Sequence, residues 1–358
     1  NENVAVTSTA TEINTLDGVT AGTISASKAV IVDSNKDISG FRNITGTGNL
    51  TVDGGTVKLD GNYPVGTDNV ALGNTALDSV EAGGINNVAI GDNAGTAITT
   101  GDHNTAVGKD ALLSNTTASN NTAVGIESLM CNTTGTANLA LGAYAMCKNT
   151  TANNNTAVGA AALLANTTGA NNTGVGKDSL IANTTGANNV AVGYLSLDAN
   201  TTGATNVAMG RGSLGANTTG SCNVAIGDLA LVAATTVSQN TAIGMLSMTA
   251  TTSGIRNTAV GRQSMCANTT GCCNVAMGSN ALASGTTGDF NVAVGGAALG
   301  SVNTGNCNTA IGACAMNTNT SGANNTAVGK DSLLANTTGV NNVAVGKDSL
   351  KTNTTASG

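Results

Sequence analysis

The sequence predicts an all-β protein, a parallel β-solenoid built on a 17-residue coil. Three observations carry that prediction. A core of the form Asn-x-Ala-aliphatic-Gly closes on Gly91, Gly108, Gly125 and onward at that constant step as far as Gly346. One more copy closes on Gly73, a single residue further back than the step would place it, which makes 17 copies. The residues before each glycine alternate in character with period two and are rich in β-branched types, the pattern of a short strand. The composition is also far from that of a globular domain: 358 residues include 48 Gly, one Pro, no Trp and only 9% charged residues, where about 25% charge is usual. Self-similarity at a fixed period marks a stacked-repeat architecture.

Residues 1–66 lack this beat and predict a small β-rich collar or shaft. Thr9 and Glu12 have capping-box spacing, so a short helix is expected over 9–17, ended by Gly18. Strand-like runs follow at Lys28–Val32, Asp37–Phe41, Asn49–Val52 and Thr56–Leu59, and Pro64 with Gly66 marks the join to the repeats. Residues 67–358 are the solenoid, which at roughly 4.8 Å per coil would be about 80 Å long. The last copy ends without a distinct cap, and a solenoid normally has one, so the natural chain is expected to continue.

Each coil can be numbered from its glycine as position 0. Position −4 is always Asn; −2 is Ala except at Gly174; −1 is Val, Ile, Leu or Met; +3 is Ala or Ser; and +4 is Leu or Met except at Gly95. Asn223, Ala225, Ile226, Gly227 and Leu231 represent these structural positions in one coil. Residues two apart on a strand share a face. The aliphatic residues at −3 and −1 are therefore expected inside, with Val158, Ile226 and Ile311 buried alongside Leu163, Leu231 and Leu333. The glycine permits a turn that few side chains would allow, and the stretch after it predicts a second extended piece, the alternative being a helical turn. In the closing Asn-Thr-Thr-Gly the glycine is expected at positive φ. The row of Ala at −2 is read as an outer face that lets another backbone come close, which predicts three chains around an axis. Positions +1, +2 and −5 vary freely and should face solvent.

Two resemblances follow from these motifs. The stretch Thr9–Gly40 resembles text found in structural fibre proteins of marine tailed bacteriophages. Repeats such as Asn223-Val-Ala-Ile-Gly227-Asp-Leu-Ala230 and Asn87-Val-Ala-Ile-Gly91 are similar to the head motif of YadA-like trimeric autotransporter adhesins. That second resemblance covers about four fifths of the chain and implies a left-handed β-roll with three rolls packed side by side; the inserted Asn-Thr-Thr-Gly makes these coils longer than the adhesin ones. The phage resemblance implies a self-cleaving chaperone segment that drives trimer formation, of which this sequence contains nothing.

Catalytic chemistry finds little purchase. His103 is the single histidine and occupies a variable position, so no Ser-His-Asp arrangement is available. Asp110, Asp178, Asp331 and Asp348 share a register, but each follows a Lys and reads as a solvated face. No calcium nonapeptide, phosphate loop or zinc spacing is present, and neither metal nor cofactor is expected. The Asn-Thr-Thr sites match the glycosylation pattern, yet turn chemistry accounts for them. A net charge of −7 without Lys/Arg clusters argues against nucleic acid, and no apolar run reaches the ~20 residues of a membrane helix. Of eight cysteines, Cys131 and Cys147 fall in adjacent coils at neighbouring positions. Cys222, Cys273 and Cys307 share a register two or three coils apart, and Cys272-Cys273 are vicinal. Free thiols are expected, in keeping with assembly in a reducing host cytoplasm.

These readings predict a structural virion fibre rather than an enzyme: a trimeric spacer contacting other fibre, baseplate or capsid proteins and presenting an end to a host cell-surface glycan or protein. The alternative is a bacterial cell-surface adhesin whose repeats make the contact. An ice-binding solenoid is weaker, because adjacent Thr residues cannot both face one way. Surface recognition, where present, would fall to Tyr144, Tyr194, Arg256 and Phe290.

Overall fold

The computed structural model describes residues 66–301 and 303–358. The expected collar and the short helix over 9–17 lie outside the described residues. Seventeen strands of three residues each, one per coil, run from β1 (Val70–Leu72) to β17 (Val343–Val345), and the described residues contain no helix. Every strand pairs in parallel with the strand of the next coil, so one sheet runs through the stack in chain order. In β10 (Val224–Ile226), Val224, Ala225 and Ile226 stand against Thr241, Ala242 and Ile243 of β11 (Thr241–Ile243). Registers of this kind put like residues on like residues, the condition for ladders of identical side chains.

Only one leg of the coil is a strand, so the expected second strand gives way to a run of turns. Positions +2 and +4 there take positive φ, as at Asp110 (57°) and Leu112 (51°). The amide of Ala111 closes a turn onto the Gly108 carbonyl at 3.3 Å, and that of Asn115 another onto Leu112 at 3.2 Å. Other amides cross to neighbouring coils, Leu112 to Ser128 at 3.1 Å and Ser114 to Met130 at 3.0 Å. Backbone donors are thus satisfied without an extended ladder, and the alternative helical turn is absent.

The faces of the strand are reversed from the sequence expectation. Ala225, Ala230 and Leu231 are fully buried, as are their counterparts in most coils, and Leu163 and Leu333 behave as expected. Val158 and Ile226, however, are only half-buried, and Ile311 is 40% exposed. Leu72, Leu141, Met209 and Met277 are more exposed still. The interior of so short a coil is narrow: Ala from one leg and Ala/Ser-Leu from the other fill it, and larger side chains at −1 and −3 point outward. The Ala row is therefore core packing and not an outer contact face.

Two columns of buried Asn hold the coils to one another. Asn223 accepts at its Oδ1 from the Asn240 amide at 3.1 Å, and its Nδ2 donates to the Val237 carbonyl at 2.8 Å, which ties the start of the coil to its end. A second column, at +7, links side chain to side chain: Asn132 Nδ2 donates to Asn115 Oδ1 at 2.7 Å and to the Gly135 carbonyl at 2.9 Å. Asn121 reaches that same carbonyl at 2.8 Å. Buried amides are inexpensive only when paired in this way. The asparagines of this second column are those of the Asn-Thr-Thr sites, and all but the last, Asn353, are buried.

Position 0 needs glycine for two reasons. Gly227 sits at φ 133°, and a Cβ there would lie 2.6 Å from the carbonyl carbon of Gly244 in the next coil. In the closing turn the positive φ falls on −5, as at His103 (56°), Arg256 (58°) and Phe290 (56°), and not on the +10 glycine as expected. Gly135 at +10 is closely packed, since a Cβ would meet the Ala152 carbonyl oxygen at 2.3 Å, although other coils place Ala118, Ala152 or Val237 at this position.

Candidate functional site

The four proposed recognition residues are all exposed, Phe290 at 61%, but the fold does not bring them together. Tyr144 stands at +2 and Tyr194 at +1 of coils three steps apart. Arg256 and Phe290 share the −5 column two steps apart, with Cys273 between them. Arg256 donates from Nε to Gln239 Oε1 at 3.2 Å, one coil away.

Sequence reading missed what surrounds Tyr194. Position +1 stacks Lys177, Tyr194, Arg211 and Asp228 in four consecutive coils. The Lys177 Nζ lies 5.5 Å from the Tyr194 ring centre, close enough for a cation–π contact. Arg211 donates from Nε and Nη2 to the two oxygens of Asp228 at 2.8 and 3.0 Å. A hydrogen bond to Asp178 raises the Lys177 ammonium pKa above its usual value, and one to Asp228 raises that of the Arg211 guanidinium. Both cations therefore have carboxylate partners, and at this exposure such pairs contribute little. What the column offers a ligand is one aromatic face with polar flanks. Reading the variable positions down the stack, rather than coil by coil, would have revealed it.

The larger feature is the outward row of side chains at −3 and −1. It runs the length of the sheet and mixes Thr and aliphatic residues at −3 with only aliphatic residues at −1. The signal for it was present in the sequence: −2 and −4 admit almost one residue type, as a tight interior demands, while −1 admits Val, Ile, Leu and Met, as a surface row allows.

A shallow groove of about 410 Å³ interrupts the outer leg where Ala297, Gly300 and Ser301 are small, with Asn280, Ser284 and Asn317 along its sides. It holds no charge and no aromatic ring. His103 is exposed, with its Nε2 3.4 Å from Asn86 Nδ2. Among the described residues no group of three or more His, Cys, Asp or Glu could hold a metal ion, and no helix is long and apolar enough to cross a membrane. All eight cysteines are free.

No protein family, curated protein or solved structure matches this chain.

Proposed function

We propose that the chain is a structural fibre segment of a virion, a stiff homotrimeric spacer that carries a host-binding end away from the particle. The observation that supports this most is the outward row at −3 and −1, which is aliphatic in every coil at −1. Single exposed apolar side chains are ordinary, but an unbroken row along a whole sheet marks an interaction surface. Its repeat matches a surface bearing the same beat, which a second copy in parallel register supplies. Three copies, the number implied by the resemblance to adhesin heads, would turn all three rows toward one axis. The same assembly leaves the +1 and −5 columns on the outside.

The repeats themselves are a poor tight-binding surface. Recognition sites concentrate Trp, Tyr and Arg, and here Tyr144, Tyr194 and Phe290 are separated. Specificity is assigned to other parts of the fibre. The alternative, a cell-surface adhesin, draws on the Tyr194 column, where three chains would multiply any weak contact.

One experiment separates the two readings. The purified chain is sized in solution, labelled with a dye and incubated with candidate host cells, and antibodies to it are imaged on virions and on bacterial surfaces. The fibre reading expects a trimer mass, antibody on virion fibres and no saturable binding to cells. A monomer, or saturable binding lost on Tyr194→Ala, would overturn it.

A further inference from the structure

We propose that Cys131 and Cys147 form an intrachain disulfide that staples two consecutive coils when the folded chain meets a low-molecular-weight disulfide such as oxidised glutathione. Cys131 stands at +6 of one coil and Cys147 at +5 of the next, which on a strand would set them on different columns. The turn-built leg keeps the parallel hydrogen-bond pattern of the strand. Its amides at +6 donate to carbonyls at +5 of the next coil, and the Cys131 amide reaches the Cys147 carbonyl at 3.0 Å. That bond sets the two residues beside each other on consecutive coils, one position out of register, and the two thiols are themselves in hydrogen-bonding contact.

The two thiols differ in a way that orders the chemistry. Cys131 is half-exposed and Cys147 is buried. Burial first, and the neighbouring Cys131 next, push the Cys147 thiol up to about 11. Cys131 is therefore the entry point. Its thiolate attacks one sulfur of oxidised glutathione, forming a mixed disulfide and releasing one glutathione thiolate. Cys147 then gives up its proton to solvent and attacks the Cys131 sulfur, expelling the second glutathione thiolate. Two protein thiols are oxidised and one glutathione disulfide is reduced to two thiols, so electrons balance. The second step is slow at neutral pH and quickens by about tenfold per pH unit while the thiolate is the minor form.

The other cysteines are internal controls. Cys222 and Cys307 are exposed and lie several coils apart, so they can take up glutathione but cannot pair within the chain. Cys266 donates to the Ala283 carbonyl at 3.2 Å. Cys131 and Cys147 lie on the leg opposite the aliphatic row, so the staple is independent of the assembly proposed above.

The test uses the full chain in a glutathione buffer, followed by thiol alkylation and trypsin. Cleavage after Lys109 and Lys148 releases one peptide, residues 110–148, whose only cysteines are Cys131 and Cys147. The expected result is that this peptide escapes alkylation and is lighter than its reduced form by two hydrogen atoms, while Cys222 and Cys307 carry glutathione. In Cys147→Ser the same peptide should retain one glutathione on Cys131. Wild-type chain that keeps glutathione on Cys131, or both thiols alkylatable while Cys222 is modified, would overturn the proposal. So would a cross-link between two copies of the peptide.

Discussion

At position +4 a Leu or Met adopts a left-handed backbone in nearly every coil, as Leu231 does at φ 54°. A bulky L-residue there costs about 1–2 kcal/mol, and its full burial returns about 1.5–3 kcal/mol. The repeat therefore tolerates local strain because the side chain fills the narrow interior. Leu231→Ala should cost about 2–4 kcal/mol, and Arg256→Ala, at an exposed corner, should be nearly neutral by comparison; urea unfolding of the two variants checks this. A sharper contrast is available at glycine. Gly227→Ala would drive a Cβ into the next coil, whereas Gly296, at +1, has open space around its Cβ and no positive φ. Gly227→Ala should lower the melting temperature strongly and Gly296→Ala hardly at all, and equal effects would show the register to be misassigned. Asp198 gives the residue scale a pH signature. Burial, with a smaller contribution from Asp178, holds its carboxyl above the ordinary value of 3.8. The folded state thus favours the protonated form, so its contribution is fully present below that ordinary value and is lost as pH rises through the raised one. Asp110 works in the opposite direction: its hydrogen bond from Lys109 lowers the carboxyl pKa, and what it contributes is lost as pH falls. The difference in melting temperature between wild type and Asp198→Asn should therefore grow against the wild type as pH rises out of the acid range, and a flat difference would remove Asp198 from the account.

The coil is held together by its Asn columns, and their defects are as informative as their regularity. At +7 the column breaks at Ala234, and Asn217 Oδ1, which would accept from an Asn there, is buried without a partner. The same coil carries Val237 at +10, where most coils have Gly or Ala. The two departures are coupled. In the preceding coil a Cβ on Gly220 would approach the Asn217 Oδ1 to 2.4 Å; Ala118 and Ala152 nonetheless share their coils with Asn115 and Asn149, so competition with an Asn at +7 is expected of the larger Val. Ala234→Asn alone should destabilise, because Val237 occupies the space. Ala234→Asn combined with Val237→Gly should recover that loss and gain stability, since it partners the orphaned oxygen, an interaction typically worth about 1 kcal/mol. A double-mutant cycle read by chemical unfolding should show strong non-additivity, and additive effects would argue against the coupling. Much of this level was legible from sequence. The period, the strand, the tight glycine and the buried Leu all followed from spacing and residue type. The sidedness of the strand did not, because period-two alternation names two faces without saying which is inside. Asn and Ala look like a surface pair by polarity and size, and only the amide pairing across coils makes them core. The turn-built second leg was equally hidden, since alternating positive φ at non-glycine residues has little sequence signature.

For the whole molecule the consequence of the reversed strand faces is that the coil is complete as a single chain while its strand face is left lined by aliphatic and Thr side chains. A solenoid behaves as a linear stack whose stability is a sum of coil terms and neighbour terms, so changes to an outward row should leave the stack folded. This separates folding from assembly in a way the opposite sidedness would not have allowed. Were Ile226 core, replacing it with a charge would unfold several coils. Because Ile226, Ile243 and Val260 stand outward in consecutive coils, changing all three to Lys should place a charged block in the middle of the proposed contact surface. Like charges brought together around an axis repel and cannot be desolvated without a partner. The expected outcome is a monomer by light scattering with an unchanged β-type circular dichroism spectrum and only a modest shift in melting temperature at matched chain concentration. Arg211→Ala, Asp228→Ala and Tyr194→Ala, on the outer column, should leave the mass of the assembly unaltered. If the triple Lys variant stays trimeric, the aliphatic row is not the contact surface; if it unfolds, the row is core after all and the strand faces must be assigned again.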